Sequence, residues 1–188
     1  MTGSRSLDLV AADADRGLYW FENDGAGNFT RHVVHLRTNE LLERHAVADV
    51  NGDGKPEIVS PKGADPTGTQ QIVWYENDGS PCIGPWPKHV ISEHFPGAFE
   101  AIAADLDGDG QVEVVATAWG DRGRVALFKH RGDPRGSWDM QILKDNWAHA
   151  NMVIVADLDG DGRLDVAACA ERGSNELRWW RNEGPATG

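Results

Sequence analysis

One segment recurs three times in this chain, and the repetition limits what the chain can fold into more than any other feature. It reads HAVADVNGDGKPEIVSPKG from His45 to Gly63, AIAADLDGDGQVEVVATAW from Ala101 to Trp119, and VIVADLDGDGRLDVAACAE from Val153 to Glu171. Each copy has a short β-branched apolar run, a loop with oxygen-bearing side chains at alternate positions, and a second apolar run. The unit this predicts is strand, cation-binding loop, strand.

The loop starts Asp49, Asp105 and Asp157 lie 56 and 52 residues apart, a spacing that suits a four-stranded blade. An aromatic segment ending in a turn keeps the same register: YWFENDG, VWYENDG, ALFKHRG and RWWRNEG. A fourth strand follows three of these, at FTRHVV, WPKHVI and WDMQIL. The period is strand A, loop, strand B, strand C, strand D. SLDLVAAD, from Ser6, matches strand B, so the first repeat has no strand A and no loop; the last stops after strand C. The expected fold is all-β: a β-propeller or partial propeller of four antiparallel blades, the terminal two incomplete. As a single repeat domain over 1–188, its blades span 4–38, 45–95, 99–146 and 151–184. One helical turn is allowed near Asn39. Four-stranded units expose apolar faces, so neighbouring blades must stack.

The loops carry the chemistry. Calcium takes six to eight oxygen ligands, and a compact loop supplies them by alternating side chains with a backbone carbonyl. The predicted ligands are Asp49, Asn51, Asp53, Lys55 (backbone) and Glu57; Asp105, Asp107, Asp109, Gln111 (backbone) and Glu113; and Asp157, Asp159, Asp161, Arg163 (backbone) and Asp165. Three calcium ions are expected. An EF-hand is excluded: position 12 holds Ser60, Ala116 and Ala168 where it needs a bidentate Glu, and the flanks are strand-like. A bare Asp-Gly hairpin turn is the simpler alternative, but it requires no carboxylate at position 9, inside the second strand.

The formal net charge of −12 argues against nucleic-acid binding, which needs clustered Lys and Arg. Three divalent ions would bring the total to about −6, so the charge reads as metal-linked. No apolar run is long enough to span a membrane as a helix. The two cysteines, Cys82 and Cys169, show no metal-site or redox spacing in the sequence.

ADVNGDGKPEIV, ADLDGDGQVEVV and ADLDGDGRLDVA resemble the FG-GAP/VCBS-type repeats of integrin α-subunit propellers, some mushroom lectins and many bacterial secreted proteins. The resemblance runs from Ser6 to Gly184 and implies a β-propeller with calcium in its A–B hairpins and a binding role. It implies an extracellular setting, although the N-terminal segment has no apolar signal-peptide core.

The expected function is therefore a calcium-stabilised binding or assembly module for carbohydrate or protein, in which a homodimer completes a larger ring. Trp119 and Trp147, near turns, are the candidate ligand platforms. His32 and His89 share one position in strand D and read as structural. His45, Glu100 and His149 precede strand A, the strand nearest the expected central channel. They carry the alternative reading, a sugar-active lyase or dehydratase.

Overall fold

In the computed structural model, the described residues are 1, 6–13, 17–36, 44–63 and 70–184. They form fourteen strands and no helix; the helical turn expected near Asn39 lies outside them. Sheet 1 contains β1 (Leu9–Asp13), β2 (Gly17–Asn23) and β3 (Phe29–Leu36). Sheet 2 contains β4 (Ala46–Ala48), β5 (Glu57–Lys62), β6 (Gln71–Tyr75) and β7 (Lys88–Ser92). Sheet 3 contains β8 (Ala98–Ala104), β9 (Glu113–Ala118), β10 (Arg124–His130) and β11 (Trp138–Lys144). Sheet 4 contains β12 (Ala150–Ala156), β13 (Asp165–Ala170) and β14 (Leu177–Trp180). Strands within a sheet are sequential and antiparallel. This is a partial propeller of three-, four-, four- and three-stranded blades.

Stacking decides the burial pattern. In β5 and β9 every residue is buried, because both faces are covered by neighbouring sheets. In β1 burial alternates along the strand, so only one face is covered. Three apolar clusters fill the seams. Leu18, Trp20 and Val34 meet Ile58, Val73, Tyr75 and Trp86 between sheets 1 and 2. Ile72, Trp74 and Phe95 meet Val114, Ala116 and Phe128 between sheets 2 and 3. Val115 and Val125 meet Trp147, Val153 and Val166 between sheets 3 and 4. Among the described residues no such cluster joins sheet 4 to sheet 1, and the sheets form an open fan, not a closed barrel.

Two seams are fastened by the same device. The turn between β6 and β7 reaches back to sheet 1, where Pro81 O accepts the indole N–H of Trp20 (2.8 Å) and of Trp86 (3.0 Å). The turn between β10 and β11 does the same to sheet 2: Pro134 O accepts from Trp74 (3.2 Å) and Trp138 (2.9 Å). One carbonyl oxygen, with its two lone pairs, thus satisfies two indoles, one from each sheet. Trp86 N donates to Val34 O (2.8 Å), pinning the first turn to β3. At Gly84 in that turn, a Cβ would stand 2.0 Å from Val33 O. Gly84→Ala must therefore push the turn off β3. We expect a loss of about 2–4 kcal/mol in urea unfolding, and an unchanged midpoint would show that the seam is looser than this packing.

Candidate functional site

The three loops share one hydrogen-bond scheme. The position-1 carboxylate accepts backbone N–H groups of its own loop: Asp49 Oδ2 from Gly54, Asp105 Oδ2 from Gly110 and Asp157 Oδ2 from Gly162, at 2.8–3.0 Å. That wrap needs positive φ at position 6, which those glycines supply at 82°, 85° and 87°. The position-5 carboxylate accepts from position 7: Asp53 from Lys55, Asp109 from Gln111 and Asp161 from Arg163. The position-9 carboxylate starts the second strand and accepts the position-2 N–H: Glu57 from Val50 (2.9 Å), Glu113 from Leu106 (2.8 Å) and Asp165 from Leu158 (3.0 Å).

These position-9 groups are the buried acids of the fold, at 0, 2 and 0 % exposure. Burial pushes Glu57 up to about 7 and raises Glu113. In both, Oε1 is buried and has no hydrogen-bond partner; the nearest compensation for Glu113 Oε1 is the Lys129 ammonium at 3.4 Å. Asp165, one methylene shorter, behaves differently. Its second oxygen accepts Asn182 N at 2.8 Å, and that bond holds its carboxyl below the usual range. Asp8, just before β1, accepts Asn23 N at 3.0 Å in the same way.

Acidic ligand atoms converge in two loops, where Asp105, Asp107 and Glu113, and Asp157, Asp159 and Asp165, each place an oxygen within 4.8 Å of the others. In the first loop Asn51 replaces one acid of this set, leaving Asp49 and Glu57. The donors are all oxygens, and Glu57 and Glu113 each hold a buried oxygen without a donor, so the residues fit a hard cation. The outer oxygens are engaged by the protein's own cations. Lys55 meets Asp53, Lys129 meets Asp107 and Asp109, Arg163 meets Asp161, and Arg181 meets Asp159 and Asp161. Lys129 is held above its ordinary range, first by Asp107 and then by Asp109. Sequence reasoning missed Lys129 and Arg181. Their one signal is a sign reversal: they occupy the strand C position that holds Glu22 and Glu76 in the first two repeats.

The channel-side residues are dispersed. Glu100 Oε2 accepts Val153 N at 3.1 Å and pairs with Arg44 at 3.6 Å, tying the inner strands of three sheets together. His45 has both ring nitrogens buried without partners, and burial pulls it down to about 4. His149 lies edge-on to Trp119 (4.7 Å between ring centroids) with Asp121 at 3.9 Å from its Nε2. Among the described residues these three form no common ligand cluster. The two candidate tryptophans also part company. Trp147 is 2 % exposed and donates to Ser174 Oγ, leaving no free ring face, whereas Trp119 is 38 % exposed. Around Trp119 stand Glu171, which accepts its N–H at 3.0 Å, Asn151, which donates to Glu171 at 2.6 Å, and Phe99.

The FG-GAP-like repeat family model matches residues 1–60 and 105–168, about two thirds of the chain. The chain belongs to the FG-GAP-like repeat family. The second match begins on Asp105, the first residue of a loop. No curated protein matches the sequence. Family and fold together make the chain a β-propeller-like binding module by class, with acidic clusters able to hold metal.

The buried imidazole of His45 yields a pH prediction. Its folded pKa of about 4 lies below the ordinary value near 6.5, so between these values the folded chain binds fewer protons than the unfolded one. The stability this contributes is fully present above about pH 6.5 and is lost as pH falls toward 4. His45→Gln should flatten the fall of the urea midpoint across that window; a difference curve independent of pH would contradict the burial of the ring.

Proposed function

We propose that this chain is a calcium-braced FG-GAP-type module that binds carbohydrate or protein through the surface around Trp119. The observation that carries the brace is the buried, donor-less Oε1 of Glu57 and of Glu113 at the mouth of an all-oxygen loop. The proposed ligands are the side chains of Asp49, Asn51, Asp53 and Glu57; of Asp105, Asp107, Asp109 and Glu113; and of Asp157, Asp159, Asp161 and Asp165. The backbone oxygens of Lys55, Gln111 and Arg163 complete the sets. Calcium would supply there the positive charge that buried carboxylates otherwise lack. The gain is greatest in sheets 2 and 3, because Asp165 already spends both oxygens on backbone N–H groups.

The ligand surface rests on Trp119. Its half-exposed ring is fixed by the bond to Glu171 and by His149, whose backbone holds φ 56° while its N–H binds Gly120 O and its carbonyl binds Glu171 N. An immobilised indole beside a carboxylate, an amide and an imidazole suits a flat apolar face edged with hydroxyls, the chemistry of a pyranose, and equally a peptide aromatic or arginine.

Two measurements test this reading. Excess chelator should lower the melting temperature, because an ion that binds only the folded chain stabilises it by mass action, and Glu113→Gln should bind one fewer calcium per chain in calorimetry. Identical melting curves in calcium and in chelator would remove the brace. In calcium, a panel of neutral and acidic oligosaccharides should quench tryptophan emission in the wild type, with affinity at least tenfold weaker in Trp119→Ala. Quenching that survives the substitution would place the ligand elsewhere, and a silent panel followed by peptide-array binding lost in Trp119→Ala would assign a protein ligand.

A further inference from the structure

The seam between sheets 1 and 2 gathers three groups that the loop chemistry does not use. Glu22 and His32 lie on neighbouring strands. Trp20 pairs with His32 and Glu22 with Thr30 across β2 and β3, so Trp20, Glu22 and His32 share one face. His32 stacks on Trp20 with centroids 4.4 Å apart and 19° between planes, and its Nε2 stands 3.1 Å from Glu22 Oε2. The third group comes from the β6–β7 turn, where Cys82 follows Pro81; its Sγ is 4.0 Å from the same Nε2. Glu22, His32 and Cys82 each offer one ligand atom, and these lie within 4.8 Å of one another.

The next seam shows what this position does when it is purely structural. There His89 stacks on Trp74 (4.4 Å), its Nε2 lies 2.8 Å from Glu76, and the residue after Pro134 is Arg135, whose guanidinium closes on Glu76. The Glu–His–Trp arrangement and the pinned proline carbonyl are thus repeated. The residue that reaches across is changed, from a guanidinium that neutralises the carboxylate to a thiol that does not. Among the described residues no lysine or arginine pairs with Glu22.

We propose that Glu22, His32 and Cys82 form a seam site for a zinc-class divalent ion, held by one carboxylate, one imidazole and one thiolate, with a fourth position open to water. The donor set is right for such an ion: zinc takes O, N and S ligands together, whereas calcium has no use for sulfur or imidazole. The spacing is close to what is needed. Tetrahedral bonds of about 2.0 Å to N and O and about 2.3 Å to S separate N from O by about 3.3 Å and N from S by about 3.5 Å. The observed 3.1 and 4.0 Å, with the Glu22 oxygen and the Cys82 sulfur within 4.8 Å of each other, require the sulfur to move in toward the pair. The turn bearing that sulfur is fixed by the Trp20 and Trp86 bonds to Pro81 and by the close contact of Gly84 with Val33, so the site is largely assembled beforehand. Cys82 is exposed at the surface and open to an arriving ion. On binding, the thiol releases its proton to solvent and the imidazole presents a bare Nε2, so affinity rises with pH.

The full chain, kept in saturating calcium so that the hairpin loops are occupied, is titrated with cobalt(II) and then with zinc(II). We expect one equivalent of cobalt bound with a thiolate-to-cobalt charge-transfer band, displaced by zinc. Cys82→Ser should abolish the band, and His32→Gln or Glu22→Gln should weaken binding at least tenfold. His89→Gln, at the equivalent place in the next seam, should change nothing. Zinc should also slow modification of Cys82 by a thiol reagent at least tenfold in the unmutated chain, a readout independent of how well any variant folds. The proposal is overturned if no charge-transfer band forms, if the band persists in Cys82→Ser, which would assign it to Cys169, or if zinc leaves the thiol as reactive as before.

Discussion

Each A–B loop depends on a buried carboxylate that opens strand B and accepts the N–H of the loop's second residue. Glu57, Glu113 and Asp165 do this in the three loops. Asp165, together with Asp8 at the start of the first sheet, also holds the end of strand C through Asn182 or Asn23. In Asp165 one carboxylate thus fixes the spacing between three strands at once. Burial is costly for an ionised group unless its oxygens are paired, and here they are paired to different degrees. Asp165 is short enough for both its oxygens to meet backbone donors, whereas in the glutamates one oxygen is left over. That leftover oxygen leaves the glutamates less fully paired than Asp165, although Asp157, Asp159 and Asp165 converge as closely as Asp105, Asp107 and Glu113.

The seams follow an equally repetitive logic. In two of the three seams a turn from the following sheet extends a proline carbonyl to the tryptophan of the sheet before it, and the residue after that proline contacts the Glu–His pair on strands C and D. Repetition keeps the geometry while one residue changes, and so function can enter without disturbing packing. Arg135 closes an ion pair in one seam; Cys82 opens a mixed-donor cluster in the other. Trp119 is a comparable case on the inner side, where a core-like aromatic remains half exposed while Glu171 takes its N–H and His149 meets it at a steep interplanar angle.

Much of the architecture was legible in the sequence because its signals are local. Alternating oxygens, glycines at fixed offsets and β-branched runs set the loops and the strands. Applying their period to the chain ends gave sheets of three, four, four and three strands, the number found. What the sequence concealed was what lies across a seam. Lys129 reaches Asp107 from 22 residues away, and Cys82 meets His32 across 50; no spacing rule connects them. Trp147 looked like a surface indole because it sits beside a turn, but sheets 3 and 4 close over it and Ser174 takes its N–H. His45, Glu100 and His149 share a side of the fan without sharing a site, since Glu100 is committed to Arg44 and Val153.

The backward reach of the turns gives the fan a direction in time. Pro81 meets Trp20 from 61 residues downstream and Pro134 meets Trp74 from 60, and these two seams are sealed only by the sheet that follows. A chain made from its N-terminus can therefore lock each sheet soon after the next one emerges, with no need to wait for residues far ahead. Contacts confined to adjacent repeats keep the loop-closure cost of each step small and nearly constant. Assembly can proceed as a ratchet on the ribosome, one blade behind synthesis.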